Sequence, residues 1–219
     1  MHLIYNFVAG PLLWLTVIVF FGGSIYRILS ILKMAHQKDI AVYAYFNPFY
    51  ALRSVFHWII PFANESMKKH PLLTIVSFAF HICLFLAPLF LFAHIILIKQ
   101  SCNISWGYIP DIVADIMTVM VILSCIFFLI RRIRIPEIHY LSTRSDYIVL
   151  AIVAAPFITG FLAYHQWVAY DIISILHILS GEIMLMCIPF TKLNHALFFF
   201  LTRGYMGSEF GKVRHSRDW

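Results

Sequence analysis

The stretch D-I-I-S-I-L-H-I-L-S-G-E-I-M-L-M-C-I-P-F-T-K-L-N-H, with Asp171 first and His195 last, decides how the chain is read. It is apolar over a length that suits a bilayer-crossing helix, and it is bracketed by two histidines, His177 and His195, 18 residues apart. That spacing makes about five whole helical turns, so both imidazoles leave one face of a single helix, roughly 27 Å apart along its axis. The distance approaches the ~30 Å thickness of a bilayer's hydrocarbon core. Ser174, three residues before His177, and Gly181, four after it, keep the flanking turns thin. A flat, bulky ligand such as a porphyrin needs that clearance to approach a helix backbone, so Gly181 is a candidate for porphyrin contact. A lone histidine in a membrane helix serves as readily as an interhelical hydrogen-bonding group. The reading therefore turns on whether another helix offers partners.

The 219 residues are 62% hydrophobic, 17% aromatic and only 12% charged, which excludes a soluble globular domain of this size and implies an integral membrane protein. The N-terminus reads as a spanning segment and not as a cleavable signal, because it lacks a basic start and a small-residue cleavage site. Cys83, Cys102, Cys125 and Cys187 are too scattered for a disulfide framework. No C-x-x-C-H or C-x-x-C motif is present, so any cofactor is held non-covalently.

Five apolar runs, about 4–31, 72–98, 110–130, 147–167 and 171–192, predict an all-α, five-helix membrane bundle forming one domain over residues 1–219. All but Lys99 of the 16 Lys and Arg residues fall in the segment after the first run, the loop after the third, and the end of the fifth with the tail. This asymmetry places the N-terminus outside and the C-terminus in the cytoplasm, and it speaks against a nucleic-acid footprint for the net charge of +6. Trp106, Tyr108, Tyr164, Trp167 and Tyr170 gather at the outer ends, as an aromatic belt does. Between the first two spans, residues 47–62 place Phe49, Leu52, Val55, Phe56, Ile59 and Ile60 on one helical face, with Arg53, Ser54 and His57 on the other. This pattern predicts a helix lying in the inner interface, as an anchor or as a shelf for a cytoplasmic partner. The basic tail after Arg203 is expected to contact that partner.

The second run supplies the missing partners, His81 and His94. It runs inward to outward, whereas the fifth runs back. Antiparallel packing then pairs His94 with His177 in the outer leaflet and His81 with His195 in the inner one. Thirteen residues turn a straight helix by about 220°, so His81 and His94 share a face only if Pro88 kinks or rewinds the span, as Pro189 does in the fifth. Two bis-histidine sites suggest two b-type haems, since iron with both axial positions filled by imidazole suits electron transfer.

With these residues quoted, the chain resembles the gamma subunit of respiratory nitrate reductase and its relatives. Those include the membrane subunits of heterodisulfide reductase-like and sulfate-reducer transmembrane complexes. The resemblance covers spans two to five. It rests on L-H-I-L-S-G and P-F-T-K-L-N-H with their 18-residue histidine spacing, on F-H in the second span, and on R-R-I-R-I-P followed by S-T-R-S-D-Y-I-V-L. The 13-residue histidine spacing is longer than in the nitrate reductase subunit, and R-S-V-F-H-W-I-I-P-F is more similar to the sulfate-reducer branch. The resemblance implies a dihaem cytochrome b in the plasma membrane of a prokaryote. Such a subunit of a hetero-oligomer passes electrons between a quinone (menaquinone) and a cytoplasmic iron–sulfur partner.

Under that reading Arg131, Arg132, Arg144 and Lys192 are candidates for haem propionate contacts, although orientation alone explains them equally well. Quinone chemistry also needs a proton acceptor. Asp111 and Asp115, four apart on one face at the start of the third span, and Glu182, five residues past His177, are candidates. Glu182 either lines a proton path or bonds a neighbouring helix, and Asp171 reads better as a helix cap. The alternative is a haem-free transporter or scaffold whose histidines are interhelical hydrogen-bond groups. It would be marked by a pair of broken helices or an inverted repeat around a charged midplane site, and neither is legible in the sequence.

Overall fold

A computed structural model describes residues 2–39, 41–167 and 169–218, with Ala41 and Val42 by backbone alone. Among these the chain is helical without a strand. The helices are α1 (His2–Phe7), α2 (Leu13–Lys38), α3 (Ala41–Tyr45), α4 (Pro48–Ile59), α5 (Glu65–Lys69), α6 (Pro71–Phe90), α7 (Phe92–Cys102), α8 (Asp111–Arg134), α9 (Pro136–Leu141), α10 (Arg144–His165), α11 (Tyr170–Cys187) and α12 (His195–Ser208). Five segments are long and apolar enough to cross a membrane: His2–Lys38, Pro71–Phe90, Asp111–Arg134, Arg144–His165 and Tyr170–Cys187. The all-α, five-span architecture expected from composition is the one observed. The first segment is longer than its apolar run and passes through a π turn, Val8–Leu12, where Pro11 has no N–H to give the regular ladder.

The chain divides into two compact units, Met1–Ala9 with Val76–Met184, and Gly10–Ile75 with Leu185–Trp219. In the first unit α8 packs on α10. Their connection is tied by Arg132, which lies 3.7 Å from the Asp146 carboxylate and donates to the Ser142 hydroxyl at 3.2 Å. Asp146 is buried and closes a capping box with Thr143. That box starts α10 at Arg144, three residues before the apolar run begins. Gln166, in the left-handed region at φ 55°, ends it.

The second span is not one kinked helix. It stops at Phe90, Leu91 is extended, and α7 begins at Phe92. Pro88 lies inside α6, so the break falls three residues beyond the proline. A helix end in lipid must find donors for its last four carbonyls. Here each has one. Ala87 takes the Leu91 N–H at 3.0 Å, Pro88 the His94 Nδ1 at 2.8 Å, Leu89 the Trp106 indole N–H at 2.8 Å, and Phe90 the Ile109 N–H at 3.0 Å. A broken span is thus present where the sequence reading finds none, and its carbonyls are filled.

The fifth run departs further from expectation. Helix α11 ends at Cys187, residues 188–190 turn, Lys192–Asn194 form a 3₁₀ turn, and His195 opens α12. Pro189 cannot continue the ladder. The Cys187 carbonyl is claimed instead by the N–H groups of Phe190 and Thr191 and by the Thr191 hydroxyl. His177 and His195 therefore stand on different helices, and the argument that 18 residues put them on one face fails. Asp171 also proves to be a first-turn residue of a helix starting at Tyr170, favourable to the helix dipole, and not the cap.

In the second unit α4 packs against α12. Asn47 caps α4 by accepting from the N–H groups of Phe49 and Tyr50, with Pro48 at its first position. Phe49, Leu52, Phe56, Ile59 and Ile60 stand exposed, whereas Ala51, Ser54 and Val55 are buried. Val55 thus leaves the expected apolar stripe, and Ser54, expected on the opposite face, is buried beside it. The reason is the partner helix: a Cβ on Gly207 would collide with Ser54 and the Tyr50 carbonyl, and one on Gly211 with the Tyr50 ring. Only a glycine-lined helix approaches this closely. The Ser54 hydroxyl donates to Asp218 at 2.5 Å, so the tail folds back on α4. Its last residue, Trp219, lies outside the described residues. Nearby, hydrogen bonds to Glu209 and Asp39 push the Tyr205 phenol up to about 12.

Candidate metal centre

His94 and His177 meet within the first unit. Their rings are nearly parallel, 8° apart in plane, with centroids 5.9 Å apart. Metal–imidazole bonds of about 2 Å set two ring centroids on opposite sides of one metal about 6 Å apart. Direct face contact would bring ring carbons to about 3.5–4 Å.

The backbone fixes both rings. His94 Nδ1 donates to the Pro88 carbonyl at 2.8 Å and His177 Nδ1 to the Pro156 carbonyl on α10 at 3.0 Å. A carbonyl oxygen only accepts, so each Nδ1 carries the hydrogen and each neutral ring keeps a lone pair on Nε2. Among the described residues neither Nε2 makes a hydrogen bond. An Nδ1–H held by a carbonyl, with Nε2 left as donor to a metal, is the arrangement that orients a ligating histidine. Gly160, one turn beyond Pro156, makes the approach feasible: a Cβ there would stand 2.8 Å from His177 Cε1 and 3.0 Å from its Nδ1. At Gly181 a Cβ would meet no atom within 4 Å.

His81 and His195 are anchored in the same way but locally, by the Ser77 carbonyl at 2.7 Å and the Lys192 carbonyl at 2.8 Å. His81 belongs to the first unit and His195 to the second. The Phe80 ring stands edge-on to His81, its centroid 5.0 Å away, and His195 is exposed. Among the described residues no group of three or more His, Cys, Asp or Glu side chains is placed to hold a metal. A metal at His94 and His177 would take two protein ligands and draw the rest of its coordination from its own macrocycle. The residues present fit a haem on those terms.

Of the basic residues, Arg132 is engaged by Asp146 and Ser142, whereas Arg144 and Lys192 are exposed and Arg131 half-buried. Asp111 and Asp115 are brought to the end of α10. Asp115 lies 3.4 Å from His165 Nε2, and the Tyr164 hydroxyl bonds Asp111. His165, which sequence reasoning leaves as an interfacial residue, is flanked by Phe161 and Trp167 with centroids at 4.4 and 5.0 Å. Glu182 is 2% exposed, and among the described residues neither carboxylate oxygen has a hydrogen-bond partner. Gly160 and the two proline carbonyls are the site residues that sequence reasoning missed. A proline followed four residues later by a glycine was the available signal.

No protein-family model matches the chain, and no solved structure does. Over 218 residues the chain is 35% identical to a protein of Nitratidesulfovibrio vulgaris called simply "Protein", an alignment covering 96% of this chain and 95% of that one. Similarity at this level along nearly the whole of both sequences leaves no segment to a separate origin, and the chain belongs to the family of that Nitratidesulfovibrio vulgaris protein.

Proposed function

We propose that this chain is the dihaem cytochrome b subunit of a respiratory complex in a prokaryotic plasma membrane, similar to the nitrate reductase gamma and sulfate-reducer membrane subunits. It would connect the quinone pool, menaquinone in this reading, to a cytoplasmic iron–sulfur partner, with its N-terminus outside. The observation that carries the reading is the parallel His94–His177 pair, with both Nδ1 groups committed to proline carbonyls. His94 and His177 would hold the outer haem. Bound there, bis-imidazole haem supplies reversible one-electron chemistry without an open site for oxygen.

The protein's own contribution is orientation and proton handling. The carbonyls of Pro88 and Pro156 fix ring tautomer and plane, and Gly160 admits the His177 ring. At the outer surface the Asp115–His165 and Asp111–Tyr164 pairs supply groups able to accept protons from a quinol. At the inner surface Arg131 and Arg144 would offer cationic donors to propionates, and the exposed apolar face of α4 suits the interface. A transporter would need open carbonyls at its helix break to coordinate an ion. The four at Leu91 are occupied.

Chain expressed with ample haem supply and purified should give two haems in a pyridine haemochrome assay. His177→Ala should leave one. A colourless protein would overturn the reading in favour of the haem-free scaffold.

A further inference from the structure

Glu182 sits in a membrane-spanning helix at 2% exposure, and both carboxylate oxygens lack a partner among the described residues. An ionised carboxylate in that setting is unfavourable unless an opposite charge stands near; a neutral one needs a bound proton. The titratable side chains in the interiors of the first unit's spans, Glu182 apart, are His81, Cys83, His94, Cys125 and His177. The other acids and bases of those helices lie near helix ends: His2 and Tyr5 of α1, Asp111, Asp115 and the arginines of α8, Arg144, Asp146, Tyr147, Tyr164 and His165 of α10, Lys99 and Cys102 of α7, Tyr170 and Asp171 of α11. None of them pairs with Glu182. It is the one carboxyl inside those spans among the described residues, and it lies five residues, about 7.5 Å of helix rise, from His177.

From this placement we infer that Glu182 binds and releases one proton in step with the electron held between His94 and His177. The inference rests on the haem reading and deepens it. With the outer centre oxidised, its metal and macrocycle carry a net positive charge that an ionised Glu182 offsets. One electron entering from quinol or from the iron–sulfur partner removes that charge. Glu182 then takes one proton from water, so the buried region gains one electron and one proton and stays neutral. Departure of the electron returns the proton. Interactions between buried charges are screened far less than between exposed ones, so the coupling does not require Glu182 to face the porphyrin.

The test is a potentiometric titration of the full chain, haem-loaded and in lipid nanodiscs, at several pH values. The wild-type outer haem should become harder to reduce as pH rises, its equilibrium constant falling by up to tenfold per pH unit. Glu182→Gln should abolish this slope while keeping both haems, and Glu182→Asp should restore part of it. Redox-difference infrared spectra should show a protonated carboxyl band on reduction that is missing in Glu182→Gln. A pH-independent wild type, or an unchanged slope in Glu182→Gln, would overturn the inference while the haem reading stands. A chain that takes up no haem would end both.

Discussion

The four histidines that the sequence singles out are all held at Nδ1 by a backbone carbonyl, but the carbonyls come from different distances. His81 and His195 use oxygens four and three residues back, within their own turns. His94 reaches across a helix break to Pro88, and His177 reaches another helix, at Pro156. The first two contacts use carbonyls supplied by the histidine's own turn. The second two exist only because one span is interrupted and another has a glycine facing the ring. The His94–His177 pair therefore depends on tertiary packing and is fragile.

The sharpest way to break this contrast is Gly160→Leu. Even a Cβ at Gly160 would stand 2.8 Å from His177 Cε1. The larger side chain should displace the ring and remove one of two haems, halving the haemochrome signal, whereas Gly22→Ala, where a Cβ meets nothing within 4 Å, should leave it unchanged. Retention of both haems in Gly160→Leu would separate the carbonyl anchor from ligation. Trp106→Phe acts more gently, on the same helix break. Losing the indole donor leaves the Leu89 carbonyl without its partner at a cost of about 1 kcal/mol. Outer-haem affinity should weaken roughly fivefold in a haem-transfer titration, with the inner haem unaffected.

The smallest effect is expected at Arg132→Gln. The guanidinium is a third exposed and its partner is Asp146, so the loss should be about 0.2–1 kcal/mol in thermal unfolding, with two haems kept. Loss of the inner haem instead would assign Arg132 to a propionate.

Much of this was legible in the chain. Apolar length and the scarcity of interior charges place the five spans, because a backbone in lipid must bond to itself. The second and fifth runs each carry two histidines, which brings His81, His94, His177 and His195 forward without saying which of them meet. The interior of the fifth run misled because a helical repeat was extended through Pro189, where the Cys187 carbonyl turns to Thr191 and the regular ladder ends. The second span misled for a related reason: its break at Leu91 depends on donors from Trp106 and Ile109, which lie 17 and 19 residues beyond the carbonyls they fill. On α4 the exposed apolar stripe follows from periodicity. That Ser54 is buried does not, because it depends on Gly207 of a helix more than 150 residues later.

Composition and hydropathy by themselves determined that this is a multi-span helical membrane protein with imidazoles inside its second and fifth spans, since lipid imposes those rules on any sequence. Which imidazoles come together, at what separation and in which tautomer, was decided only by the tertiary structure. Carbonyls released at helix ends and opposite small residues become available through the packing of segments far apart in the chain, and no spacing along one helix encodes that.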